Sequence, residues 1–236
     1  MTDWSARLQR LLGPALIDRV PRDHEQTDGA FHRRRAVVVV TLVVGATMLG
    51  FSLSTRPGDS AFYWLTAALA VTWTLGGLAS GPLHLGQVGT GQSLRRPVGT
   101  PILLGLAAAA VFVVGAFVVR DIAPLRSLTD DVLEHARQGS LALILAVTVL
   151  NGIAEEIFFR GALFAAVGRR RPVLVTTSIY ALTTVSTGNP MLVFAAAALG
   201  TVLGLQRRAS GGILAPILTH ITWSSTMLFV LPPLFG

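Results

Sequence analysis

Long apolar runs separated by short polar patches fill the chain from residue 36 to its end, and seven segments stand out at about 36–54, 60–80, 99–119, 140–167, 172–187, 190–206 and 211–234. A membrane-spanning helix needs about 20 predominantly apolar residues, with a lower limit near 17. Five of the segments exceed that limit, and the fifth and sixth lie at or below it. The pattern predicts an all-α, polytopic integral membrane helical bundle of about seven transmembrane helices. Between the third and fourth segments, Ile122, Leu125, Leu128, Val132 and Leu133 interleave with Asp130, Asp131, Glu134, His135 and Arg137. That spacing predicts an amphipathic surface helix within residues 121–138. Near the start, Trp4, Leu8, Leu11, Leu12 and Leu16 recur at helical intervals beside Arg7 and Arg10. Residues 1–35 are therefore expected as a cytoplasmic tail or an interfacial helix limited by Pro14, with solvated linker from Arg19 to Arg35. Residues 36–120 then carry the N-terminal transmembrane helices.

Composition narrows the chemistry. The chain has 236 residues, 52% hydrophobic and 13% charged, with a mean hydropathy of +0.63, far from the roughly 25% charged residues of soluble domains. All nineteen basic residues are arginine, and neither lysine nor cysteine occurs. Schiff-base chemistry, a Walker lysine, thiolate metal sites and cysteine nucleophiles are thereby excluded. The net charge of +7 does not point to nucleic acid, because Arg33 to Arg35, Arg95 and Arg96, Arg169 to Arg171, and Arg207 and Arg208 each abut an apolar run. Their alternation along the chain puts them on one side of the bilayer. By the positive-inside rule that side is cytoplasmic, with the N-terminus inside and the C-terminus outside. A multi-pass protein of the cell's inner (plasma) membrane is expected. Gly77 with Gly81, and Gly200 with Gly204, have the spacing that lets spans approach closely.

Ionisable residues well inside spans cost several kcal/mol each on insertion scales and mark functional interiors. Four are found here: Glu155, Glu156, Arg160 and His220. On a helix, Thr148, Asn151 and Glu155 share one face, and Glu156 and Arg160 form a second i, i+4 pair rotated by about 100°. Glu156 is thus placed to be neutralised by Arg160. Glu155 faces polar, uncharged company, a setting in which a carboxylate can serve as a general base near neutral pH. With a rise of about 1.5 Å per residue, Glu155 lies about 18–20 Å, His220 about 14 Å and Thr184 about 18 Å from the same end of the bundle. These residues are expected to line one cavity opening toward the cytoplasm.

The segment Glu155-Glu156-Ile157-Phe158-Phe159-Arg160 resembles the E-E-x-x-x-R motif of the CPBP family, the type II CAAX prenyl endopeptidases and bacteriocin-processing membrane proteases. His220 to Ser224, preceded by Ala215-Pro216, looks like that family's H-x-x-x-N motif with Ser in the last place. The remaining motif, F-x-x-x-H, aligns with Tyr180 to Thr184, so Thr184 stands where the family has a catalytic histidine. The resemblance implies a CPBP-like catalytic core over 139–236.

It further implies an intramembrane endopeptidase in which Glu155 activates water, Glu156 with Arg160 positions it, and His220 with Ser224 stabilises the oxyanion. Activity would be weakened by Thr184. The family is often described as metal-dependent, which makes zinc a conceivable cofactor; the residues favour a metal-free glutamate mechanism. The implied partners are a membrane-embedded or lipid-modified peptide substrate and the lipid bilayer, with no nucleic acid. Alternatives are a catalytically silent relative that binds or scaffolds membrane partners, a proton-coupled transporter, or a polar network that only pins helix packing.

Overall fold

The computed structural model describes residues 9, 12–21, 24–89 and 93–236. Each of the seven apolar segments becomes a helix: α1 (Asp28–Leu53), α2 (Ser60–Ala79), α3 (Gly99–Val119), α5 (Leu141–Val167), α6 (Pro172–Thr184), α7 (Pro190–Ser210) and α8 (Leu214–Phe235). The amphipathic α4 (Ala123–Arg137) lies between α3 and α5, and no strand occurs among the described residues. Six of these helices, all but α4 and α6, are long and apolar enough to cross a membrane. The thirteen residues of α6 rise only about 20 Å, short of a hydrocarbon core of about 30 Å. The 3₁₀ turn Val185–Thr187 continues its path, so the chain still passes from one end of the bundle to the other before α7.

Local chemistry sets the helix ends. Thr27 accepts a hydrogen bond from the Ala30 amide and so caps α1, Asp59 accepts from Ala61 to cap α2, and Asn189 accepts from Met191 and Leu192 to cap α7. These caps satisfy orphan amide donors. The Thr27 cap also corrects the expected linker over 19–35: helix begins at Asp28 and runs through Arg33 to Arg35. Upstream, a five-residue π-helical turn covers Gly13–Ile17. The predicted interfacial helix rests largely on Trp4, Arg7, Leu8, Arg10 and Leu11, which lie outside the described residues.

The bundle has two chemically distinct ends. At one end, Arg34 donates to Ser80 and to the Pro82 carbonyl, Arg208 to the Leu16 carbonyl, and Arg96 to the Gly86 carbonyl. All four arginine clusters gather at this basic end, as the alternation required. Arg34 and Arg207 are nevertheless buried, at 4% and 5% exposure, so they tie elements together as well as marking a side. At the far end lies α4, where Arg137 pairs with Asp130 at 3.0 Å and with Glu134 at 3.2 Å. There His135 meets the Thr55 carbonyl, and Asn189 donates to the Leu128 carbonyl.

The core sits where α2 meets α5, with Trp73 stacked on Phe158 at 4.5 Å and against Phe159 at 5.2 Å between ring centroids. Val39, Val43, Leu103, Val111, Leu182 and Phe194 remain exposed on the outside of the bundle, an apolar surface suited to lipid. The small-residue positions allow the close approaches expected of them: a Cβ on Gly77 would lie 2.6 Å from Ile157, and one on Gly200 3.0 Å from Arg160.

Candidate active site

The site is built on α5, at a change in helix type. Asn151 and Glu155 lie one turn apart, and the Asn151 amide donates to the Thr66 carbonyl at 3.1 Å and to the Val147 carbonyl at 2.9 Å. This ties the polar face of α5 to α2. From Glu156 to Leu163 the helix opens into a π-helical stretch, a departure that concentrates at functional sites. Seven of the eight residues in this stretch are buried, more than one face of an α-helix can turn inward. Hydrophobic periodicity had not revealed this segment.

Behind the site lies a buried charged cluster. Glu156 Oε1 accepts from Arg160 Nη1 at 3.0 Å and from His220 Nδ1 at 2.9 Å. Glu156 and Arg160 are 0% and 1% exposed. Arg160 also donates to the Gly200 carbonyl at 3.1 Å and lies 4.8 Å over the Tyr180 ring, while Arg207 Nε donates to the Arg160 carbonyl at 2.6 Å. A carboxylate only accepts hydrogen bonds, so His220 Nδ1 carries a proton. In the neutral ring, Nε2 is then left as an acceptor. The cluster thereby joins α5, α7 and α8, and the i, i+4 pairing of Glu156 with Arg160 survives the π-helical turn.

Glu155 has different company. Its Oε2 accepts a 2.6 Å hydrogen bond from the Tyr180 hydroxyl on α6. Thr184, the residue in the place of the family histidine, is buried and donates to the Tyr180 carbonyl at 2.9 Å. Its hydroxyl is thus committed to its own helix and does not replace an imidazole. Tyr180 was noted in the sequence only as an aromatic variant within the motif; its role as the direct partner of Glu155 depends on how α6 packs against α5. Ser224 makes only a 3.4 Å contact to the Ile221 carbonyl.

Glu155, Tyr180, Thr184, His220 and Ser224 line one cavity of about 300 Å³, together with Thr148 and Asn151. Glu156 and Arg160 do not reach it, which corrects the expectation that all the ionisable groups share its wall. The direction differs as well. The cavity extends to Leu53, Thr187 and Leu192, which lie at the ends of α1, the 3₁₀ turn and α7 away from the arginines. Toward the basic end its lining stops at Phe159, and the neighbouring Phe158, Arg160 and Leu203 are fully buried, none more than 1% exposed. It therefore runs to the far end, where a cytoplasmic opening under the positive-inside reading required the basic one.

Glu156 is committed to Arg160 and His220, and no group of three or more His, Asp or Glu gathers as a ligand set among the described residues. The other histidines considered at the sequence level stay apart from the site: His84 stacks on His24 at 3.8 Å at the basic end, and His135 packs on Phe62.

Fold and site together define a polytopic helical membrane protein with a carboxylate facing an internal cavity and a buried carboxylate, arginine and histidine cluster behind it. Residues 137–226 match the family model described as Type II CAAX prenyl endopeptidase Rce1-like, which supports the resemblance to the CPBP family. The match spans α5 to most of α8 and ends short of α1 to α3. No curated protein and no solved structure is matched by the chain.

Proposed function

We propose that the protein is an intramembrane endopeptidase of CPBP type that cleaves a peptide bond with a water activated by Glu155. The observation that carries this reading is a carboxylate exposed to an internal cavity and backed by a fully buried charged cluster. In the reaction, a water in the cavity gives a proton to Glu155 as its oxygen bonds to the scissile carbonyl carbon. The oxyanion is stabilised by His220 in its imidazolium form, with Nδ1 on Glu156 and Nε2 turned to the oxyanion, assisted by the Ser224 hydroxyl. Glu155 then passes the proton to the leaving nitrogen as the C–N bond breaks. Tyr180 holds the carboxylate in position throughout, and no step requires a metal.

The substrate class that suits this reading is a membrane-embedded or lipid-modified peptide. A second reading is favoured by one specific observation, the commitment of the Thr184 hydroxyl to the Tyr180 carbonyl, which leaves the place of the family imidazole without a titratable group. Under that reading the protein is a catalytically silent relative that binds membrane peptides without cutting them. Purified wild type and Glu155→Gln, reconstituted in nanodiscs with a library of labelled membrane peptides, decide between them. Cleavage by the wild type alone supports the protease. Equal inertness of both, with peptide retained, supports the silent relative.

A further inference from the structure

A second cavity, of about 480 Å³, lies at the basic end and shares no lining residue with the one around Glu155. Its volume falls within the range of about 300–1,000 Å³ usual for ligand sites. The π-helical turn Gly13–Ile17, the loop between α2 and α3, and the ends of α3, α7 and α8 surround it. The loop is held in place from both sides. Val88 and Arg95 exchange backbone hydrogen bonds of 2.8 and 2.9 Å, Gln87 donates to the Ser210 carbonyl, and the Ile213 and Leu214 amides donate to His84 and Leu85.

This pairing fixes the backbone of Arg95, which lines the cavity together with Thr100. The adjacent Arg96 is engaged by the Gly86 carbonyl at 2.7 Å. Among the described residues, the Arg95 guanidinium and the Thr100 hydroxyl make no hydrogen bond or ion pair. Helix α3 starts at the same place without a side-chain cap, so its opening amides lack an acceptor and add partial positive charge. No carboxylate is part of the lining among the described residues. A cation and donors without an acidic counterpart select an anion. Two features favour the phosphate of a lipid over a free anion. Arg95 stands four residues before the span α3, at headgroup depth, where basic side chains meet anionic lipid. Val98, Ile102 and Leu106, at four-residue intervals, are exposed and form an apolar track along the outer flank of α3. The remainder of the headgroup should be uncharged, because an ammonium would lie beside Arg95 with no carboxylate to meet it.

We propose that this cavity binds the headgroup of an anionic phospholipid of the phosphatidylglycerol kind. Its phosphate is held by Arg95, the Thr100 hydroxyl and the first amides of α3, and an acyl chain lies along Val98, Ile102 and Leu106. A lipid seated there braces the N-terminal turn against α3 and α8, and by binding only the folded chain it stabilises the fold.

The test uses the full chain in an uncharged detergent. Fluorescent phosphatidylglycerol is titrated beside phosphatidylcholine of the same acyl chains, and thermal unfolding is followed with each. Phosphatidylglycerol is expected to bind more tightly and to raise the unfolding midpoint further. Arg95→Gln should weaken its binding by about tenfold, and Thr100→Val should weaken it by a smaller factor. Arg170→Gln, which changes an exposed arginine at the same end but outside the lining, should alter it by less than about twofold. Inorganic phosphate and glycerophosphoglycerol, which lack acyl chains, should not displace the lipid at equal concentration. Equal binding of the two lipids, or an equal loss in Arg95→Gln and Arg170→Gln, would reduce the effect to bulk attraction and overturn the proposal. Displacement by inorganic phosphate would overturn it in favour of a free-anion site. None of these measurements involves peptide cleavage, so the protease reading can fail while this one stands.

Discussion

The Tyr180 hydroxyl donates to Glu155 Oε2 at 2.6 Å, joining α6 to the cavity-facing carboxylate of α5. Thr184, which stands where the family motif has a histidine, has its hydroxyl turned instead to a backbone carbonyl one turn back along its own helix. If Tyr180 positions the base, Tyr180→Phe should lower kcat by about 10²-fold, the lower range of acid–base assistance, with a smaller change in KM. Thr184→Ala should change kcat less than Tyr180→Phe does. Steady-state cleavage of a labelled membrane peptide checks both, and the reverse order would remove Tyr180 from the mechanism.

The charged cluster behind the site makes a prediction about stability. Arg160→Met removes the guanidinium partner of a fully buried carboxylate, leaving it only His220, and a donor to the Gly200 carbonyl, and breaking such a pair costs about 3–5 kcal/mol. Thermal unfolding in detergent, followed by the aggregation midpoint, should fall by an amount on the order of 10 °C. Replacing Arg56, in the loop after α1, should leave the midpoint in place. A small drop for Arg160→Met would mean that Glu156 is neutralised by other means.

Much of this arrangement is written in local sequence. The face shared by Thr148, Asn151 and Glu155, the Glu156 to Arg160 pair and the common depth of Glu155, His220 and Thr184 follow from helical periodicity and rise, which hold along one helix. Three features depend on how separate helices rotate against one another, which periodicity does not encode. His220 reaches Glu156 and so belongs to the buried cluster; Tyr180 reaches Glu155; and the cavity runs away from the arginines. The π-helical stretch at Glu156–Leu163 was hidden as well, since a change from i→i+4 to i→i+5 hydrogen bonding leaves no mark in the residue types. Arg207 misled by its neighbours: adjacent to Arg208 in a basic pair, it turns inward to hold the Arg160 carbonyl.

The loop at the basic end carries a pH-sensitive contact. His84, stacked on His24, is held below its ordinary value, first by partial burial and then by the nearby Arg207 and Arg34 guanidinium groups. The fold therefore disfavours its protonated form. Its contribution to stability is complete above the unfolded value of about 6.5 and is lost as pH falls below that value and through the folded one. Melting midpoints measured from about pH 8 to pH 5 should decline on the acidic side of about 6.5, and His84→Gln should flatten that decline. Parallel curves for the two proteins would assign the acid sensitivity to another group.

The arginine clusters make the final prediction, because structure divides them into two kinds. Arg34 and Arg207 are buried and hydrogen-bonded between elements, whereas Arg33, Arg35, Arg95, Arg96, Arg169, Arg170 and Arg171 are exposed. The excess of arginine beside span ends favours the cytoplasm, and Arg208 keeps that bias at its span end without Arg207. Reporter fusions at the Arg95 loop and after Ser210 should therefore report the cytoplasmic side, and a fusion near Asp121 the opposite side. Neutralising Arg169, Arg170 and Arg171 to Gln should produce mixed reporter signals. Arg207→Gln should leave the topology unchanged while lowering thermal stability, since it removes the donor to the Arg160 carbonyl and the cation over the Phe164 ring. A change of topology in Arg207→Gln, or fusions at the Arg95 loop and after Ser210 reporting opposite sides, would contradict both the sidedness and the division between anchoring and orienting arginines.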